Sequence, residues 1–208
     1  MKESIIIIGA NGQIGTELAS ALREKFGAEN VVTSDIRQPE NLKDGEIFET
    51  LNVLDKAGIE SLFQKYKPTQ IYLLAAMLSA TGEKYPQKAW DLNMNGLLNV
   101  LDLAVDYKVS KIFWPSSIAV FGPHSPKTNT DQYCVMDPNT IYGISKLAGE
   151  GLVEWYQKNR GLDIRSVRYP GIISWKAEPG GGTTDYAVHI FYDALKKGTY
   201  ECFLSENT

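Results

Sequence analysis

The chain has 208 residues, with Lys plus Arg 21, Asp plus Glu 25 and a formal net charge of −4. Hydrophobic residues make up 43% and charged residues 22%, which is globular composition and excludes a disordered, collagen-like or disulfide-scaffold protein. A mildly acidic chain without a basic block argues against general nucleic-acid binding and against anionic membranes.

In chain order, residues 5–8 are four isoleucines cut short by Gly9. That run is too short for a signal peptide and reads as a strand covered on both faces. Residues 9–15 are glycine-rich, and Ile14, Leu18, Ala21, Leu22 and Phe26 then recur at helical spacing. Residues 31–35 read as a second strand ending at Asp35, and residues 47–53 as a third. Ile59, Leu62, Phe63 and Tyr66 predict a short helix that stops before Pro68. Residues 71–75 form the next buried strand, 78–86 a loop, and 89–107 one long helix. Residues 111–114 read as a strand leading into Ser116-Ser117, and the proline-rich stretch 122–139 as a loop. Thr140 caps a helix running to about residue 159. Residues 164–168 are expected as a strand, Gly180-Gly181-Gly182 as a turn, residues 185–197 as a helix and 200–204 as a last strand. A strand there with nothing after it to cover it suggests an incomplete chain as readily as a natural end. This alternation implies an α/β fold, a doubly wound parallel sheet with helices on both faces. No stretch approaches a membrane span. The two cysteines, Cys134 and Cys202, match no metal-ligand spacing, and a reducing cytoplasmic setting fits their sparse use.

Gly9, Gly12 and Gly15 follow a strand and open a helix, the placement that lets backbone N–H groups approach a pyrophosphate. A structural turn is the alternative reading, since many loops are glycine-rich. Asp35 stands 20 residues after Gly15, where a carboxylate can accept hydrogen bonds from an adenosine ribose. Its charge favours NAD over NADP. Arg37 leaves that choice open, being either a solvated or adenine-stacking arginine or a partner for a 2′-phosphate. Tyr142 and Lys146 lie four apart on one helix face, so the ammonium is expected to lower the phenol toward working pH. A phenol so tuned can take a proton from an alcohol. Ser116 and Ser117 stand at the C-terminal edge of a strand, where ligands bind in such sheets; turn capping is their bland reading. His124 and His189 sit in no metal motif, and the tryptophans read as packing residues.

Together, the glycine triplet, Asp35, Asn93, Ser117 and the Tyr142/Lys146 pair resemble the extended short-chain dehydrogenase/reductase superfamily, which includes UDP-glucose 4-epimerases and nucleotide-sugar dehydratases. The resemblance implies a Rossmann fold over residues 1–172 that binds NAD, and over 173–208 the start of a smaller, incomplete C-terminal substrate region. A narrower likeness lies in Leu78-Ser79-Ala80-Thr81-Gly82-Glu83, in residues 115–123 and in Gly180-Gly181-Gly182-Thr183-Thr184-Asp185-Tyr186-Ala187. These segments resemble the epimerase-like L-threonine 3-dehydrogenases, which oxidise the threonine β-hydroxyl with NAD to give 2-amino-3-ketobutyrate. That resemblance implies Tyr142 as general base, Lys146 as its electrostatic partner and ribose ligand, and Ser117 in the catalytic Ser/Thr place. It implies Gly12, Gln13 and Ile14 at the pyrophosphate, and Asp35, Ile36 and Arg37 around the adenosine ribose. Asn52 and Val53 would meet adenine, although many relatives carry aspartate where Asn52 stands. Leu74, Ala75 and Ala76 would pass beside the cofactor, and Tyr169 and Ile172 would lie near the nicotinamide. Ser116 and Ser79 would contact substrate, and Thr183 and Thr184 with nearby N–H groups would hold its carboxylate. Asp185 would pair with the substrate ammonium or cap the following helix. A homodimer through the long helices is the expected assembly. Two other readings stay open: a nucleotide-sugar epimerase or dehydratase, and a dinucleotide-binding protein without catalysis.

Overall fold

The computed structural model describes residues 3–39, 41–178, 180–182, 184–202 and 204–205. Six parallel strands form the main sheet in the order β3-β2-β1-β4-β5-β7: β1 (Ile5–Ile8), β2 (Val31–Asp35), β3 (Ile47–Thr50), β4 (Gln70–Leu73), β5 (Lys111–Phe113) and β7 (Ile164–Arg165). The chain leaves β1 toward β2 on one side and returns to β4 on the other. The crevice between the ends of β1 and β4 is therefore the switch point at which such sheets bind ligands.

β1 shows why the sequence folds this way. All four isoleucines are buried. Ile6 and Ile8 join the larger core with Phe63, Leu101 and Ile112, beneath helices α2 (Lys56–Tyr66) and α5 (Gly96–Asp106). Ile5 and Ile7 face the other way, onto Ala19 and Leu22 of helix α1 (Gln13–Phe26). β-branched residues suit a pleated surface, and burying each such side chain contributes about 1.5–3 kcal/mol.

Helix α6 (Ile141–Arg160) begins where expected: the Thr140 hydroxyl accepts a hydrogen bond from the Gly143 N–H at 3.0 Å. Gly149 lets α6 lie against Trp114, since a Cβ there would be 2.4 Å from the indole. The expected loop at 78–86 is instead mostly helical, as α3 (Ser79–Lys84) and the start of α4 (Pro86–Trp90). Pro86 at the first turn of α4 starts a helix, because its missing N–H would have no helical partner there. The single helix expected at 89–107 is interrupted by a π-helical turn, Asp91–Asn95, before α5. The expected strand at 164–168 divides in two, because Arg168–Tyr169 (β8) pairs with Ser116–Ser117 (β6) outside the main sheet. Helix α7 (Tyr186–Lys197) forms as expected. The described residues of 200–204 carry no strand, and Phe203 lies outside the described residues. Among the described residues, no helix is long and apolar enough to cross a membrane.

Candidate active site

One cleft of about 840 Å³ opens at the β1/β4 switch point. Gly9, with φ +88°, turns the chain there in a conformation that side chains resist. A Cβ on Gly9 would lie 2.5 Å from the Ala75 nitrogen, and one on Gly15 would lie 2.5 Å from the Ala10 carbonyl oxygen. Both glycines are thus required by close packing of the protein itself. Gly12 is different: its Cβ would meet only the Gly9 carbonyl oxygen, at 3.7 Å. The space left open above Gly12 belongs to the cleft. Gly12 is also the N-cap of α1, whose first turn carries no acidic residue, so the positive end of the helix dipole is left for an anion. Gln13 Nε2 is buried there without a hydrogen-bond partner among the described residues.

Asp35 ends β2 on the cleft wall, and its Oδ2 accepts the Asn11 N–H at 3.1 Å. The Asn11 amide in turn donates to the Arg37 carbonyl oxygen at 2.6 Å, fixing the loop after β2. Ile36 and Arg37 form the rim.

Deeper in the cleft stand Tyr142, Lys146, Ser116 and Ser117. A Cβ on Gly143 would lie 2.2 Å from the Ala119 carbonyl oxygen, so this glycine lets Tyr142 approach the segment that carries Ser117. Lys146 is 3% exposed; its Nζ donates to the Pro115 carbonyl oxygen at 2.6 Å and lies 5.6 Å from the Tyr142 ring centre. Burial pulls Lys146 down to about 7. Burial also pushes the Tyr142 phenol above its usual value, while Ser117 pulls it partly back. The expectation of a phenol lowered by its lysine is therefore not met in this arrangement. The lysine is desolvated too, so a full positive charge is not present at neutral pH to act on the phenol.

Ser116 is buried, and its hydroxyl donates to Glu150 Oε1 at 2.6 Å. Glu150 also receives Arg168, with Nε to Oε1 and Nη2 to Oε2 both at 2.8 Å. Burial pushes the Glu150 carboxyl up, but Arg168 and Ser116 outweigh it and hold the group below the usual carboxylate range.

Described residues of the loop before α7 also line the cleft. The Asp185 side chain does not cap α7. Its Oδ2 accepts the N–H groups of Gly181 and Gly182, each at 2.8 Å, and so holds the glycine turn together. Those N–H groups are consequently not available to a carboxylate. Ala80 N–H donates to the Gly181 carbonyl oxygen at 3.1 Å, joining this turn to α3, which carries Ser79. Ser79, Thr184 and Asp185 line the cleft; Thr183 lies outside the described residues.

The cleft also gathers Gly9, Gly12, Gln13, Ile14, Gly15, Val53, Leu74, Ala75, Ala76, Tyr169 and Ile172. Two expected residues are not on its wall. Asn52 is exposed and turned away, its Oδ1 accepting the Leu54 N–H at 3.0 Å, while buried Leu51 and Val53 on either side face the cleft. The alternation of an extended segment sends the middle residue outward. Asn93 lies behind the wall, 6% exposed. Its Oδ1 accepts from Met77 N–H at 2.8 Å, and its Nδ2 donates to the Met77 carbonyl oxygen and to Ser145 Oγ, both at 3.1 Å. Because Ser145 donates onward to the Tyr142 carbonyl oxygen at 2.7 Å, Asn93 braces the site and does not line it. Sequence reasoning missed Asn11, Glu150 and Arg168. Glu150 was findable: residues 142, 146 and 150 step along one helix face at intervals of four.

The sequence pattern of the NAD dependent epimerase/dehydratase family matches residues 5–199. The chain belongs to this family. It is 50% identical to an uncharacterized epimerase/dehydratase of Staphylococcus saprophyticus over 99% of this chain and 65% of that protein. Among solved structures, a partial consensus L-threonine 3-dehydrogenase matches with TM-score 0.93 and 57% identity, over 98% of this chain and 65% of the other. The holo form of a GalE-like L-threonine dehydrogenase from Cupriavidus necator matches with TM-score 0.90 and 54% identity, over 98% of this chain and 66% of the other. The chain thus spans about 65% of the length of the relatives it matches. NAD is the family's cofactor, and the cleft fits a dinucleotide: an uncompensated helix N-terminus, open space above Gly12, an unpartnered Gln13 amide and a carboxylate at the end of β2.

Proposed function

We propose that this chain carries the NAD site and the catalytic pair of an L-threonine 3-dehydrogenase, which oxidises the threonine β-hydroxyl to give 2-amino-3-ketobutyrate. The supporting observation is that Tyr142, Ser117, Ser116, Ser79 and Thr184 line the same cleft as the glycine turn. The hydroxyls of Ser79, Ser116, Ser117 and Thr184 on this lining offer polar contacts to a short amino acid. The high identity to L-threonine dehydrogenases adds support.

When bound, the nicotinamide supplies a hydride acceptor. The protein's residues do the rest. The α1 N-terminus with Gly12 and Gln13 holds the pyrophosphate, and Asp35 holds the adenosine ribose. Tyr142 Oη takes the proton of the substrate hydroxyl, and Ser117 steadies that oxygen. Burial disfavours the Tyr142 phenolate and the Lys146 ammonium in the cofactor-free protein; in this reading a protonated Lys146, 5.6 Å from the Tyr142 ring centre, favours the phenolate during the reaction. Held together in one cleft, the reactants gain proximity and orientation. A homodimer through the helices flanking the cleft belongs to the same reading. Exposed Ile144 and Trp155 on α6 supply apolar surface for it.

The test is NADH absorbance on adding L-threonine and NAD, set against the same assay with UDP-sugars. Reduction with threonine alone supports the proposal; turnover of a UDP-sugar without net NADH would replace it with an epimerase.

A further inference from the structure

Ser116 has one proton, and the structure shows where it goes. Its Oγ donates to Glu150 Oε1 at 2.6 Å, a charge-assisted bond. Reversal is excluded by the chemistry of the partner: a carboxylate that also receives two guanidinium N–H groups has no proton to give. The arrangement is built in. The side chains of Glu150 and Arg168 are only 19% and 15% exposed. Arg168 is further tied to the Gln132 carbonyl oxygen at 3.1 Å, and its guanidinium lies 5.3 Å from the Phe121 ring centre. Ser116 itself is held in register with Arg168 by the β6–β8 pairing, its N–H donating to the Val167 carbonyl oxygen at 2.9 Å.

Ser116 nevertheless lines the cleft. With its proton committed, the oxygen can offer the cleft only lone pairs. We infer that Glu150 and Arg168 are positioning residues that fix Ser116 as an acceptor, so that Ser116 recognises the ammonium of the substrate and turns away its carboxylate. The inference rests on the proposed function, because it assumes an amino-acid substrate whose hydroxyl proton goes to Tyr142. Asp185 also lines the cleft, with its Oδ2 holding the glycine turn; Ser116 adds a second, uncharged acceptor there. An acceptor of this kind selects by charge type: an ammonium finds a partner, and a substrate lacking it gains nothing from Ser116.

The experiment uses the full-length protein with NAD. It compares the KM for L-threonine with the inhibition constant of 3-hydroxybutanoate, which keeps the carboxylate and β-hydroxyl but lacks the amine. In Ser116→Ala, losing a hydrogen bond to a charged group raises the threonine KM by about 10-fold or more. It lowers kcat less, and the 3-hydroxybutanoate constant stays unchanged. Glu150→Gln reproduces the same selective loss, because an amide sets an N–H against either the guanidinium or the serine hydroxyl. Equal shifts for the two ligands, or no shift for either, would overturn the inference. Selectivity lost in Ser116→Ala but kept in Glu150→Gln would overturn the positioning role. A wild-type protein that forms no NADH with threonine would instead sink the functional proposal, and this inference with it.

Discussion

Lys146 gives its hydrogen bond to the backbone carbonyl of Pro115, at 2.6 Å, rather than to a carboxylate. The Trp114 ring centre lies 4.5 Å from Nζ and the Tyr142 ring centre 5.6 Å. This placement explains why burial lowers the amine to about 7 from its usual value near 10.5.

The first prediction follows from that shift. Between the folded value of about 7 and the unfolded value near 10.5, the unfolded chain binds more protons than the folded one. Stability of the cofactor-free protein therefore rises with pH across this window, with a slope of at most about 1.4 kcal/mol per pH unit from this one group. Below pH 7 the penalty of the buried charge is constant. Lys146→Met removes the slope. Urea unfolding of both proteins at intervals from pH 6 to pH 10 checks it; parallel curves would refute the burial argument.

Tyr142→Phe keeps the ring and removes the proton acceptor. We expect kcat with threonine to fall by about 10²–10⁴-fold, the usual contribution of a positioned acid or base. NADH binding, followed by fluorescence, stays close to wild type. Retained turnover would take Tyr142 out of the mechanism.

The glycines of the turn are predicted to separate by function. Gly15→Ala forces a Cβ to 2.5 Å from a backbone oxygen and is expected to cost about 1–3 kcal/mol of stability. Gly12→Ala meets nothing closer than 3.7 Å and leaves thermal stability near wild type, while NAD affinity falls. Thermal melts with and without NAD distinguish the two. Gly143→Ala, with its Cβ 2.2 Å from the Ala119 oxygen, should lose both stability and activity, because Tyr142 is carried away from Ser117.

Asp35→Asn keeps an oxygen for the Asn11 N–H but removes the charge. The preference for NAD over NADP is expected to fall by about 10-fold or more, since the repulsion of a 2′-phosphate at contact distance is worth a few kcal/mol at most near a protein surface. Dissociation constants for the two dinucleotides measure it.

The sequence by itself determined the alternating fold, the glycine turn, the Asp35 strand end and the Tyr142/Lys146 face. Each is written in a local pattern: a run of isoleucines, a spacing of three, a step of four along a helix. Those signals need only neighbours in the chain. Tertiary structure alone decided the rest. Asn52 points outward because its flanking apolar residues fill the core side, and Asn93 is consumed behind the wall by Met77 and Ser145. Asp185 holds its own glycine turn through Oδ2, and Ser116 is bound to a carboxylate 34 residues away. The Tyr142 phenol rises and the Lys146 amine falls because both are desolvated. Which hydrogen bonds a polar side chain makes, and how much water it keeps, depend on segments that meet only once the chain has folded.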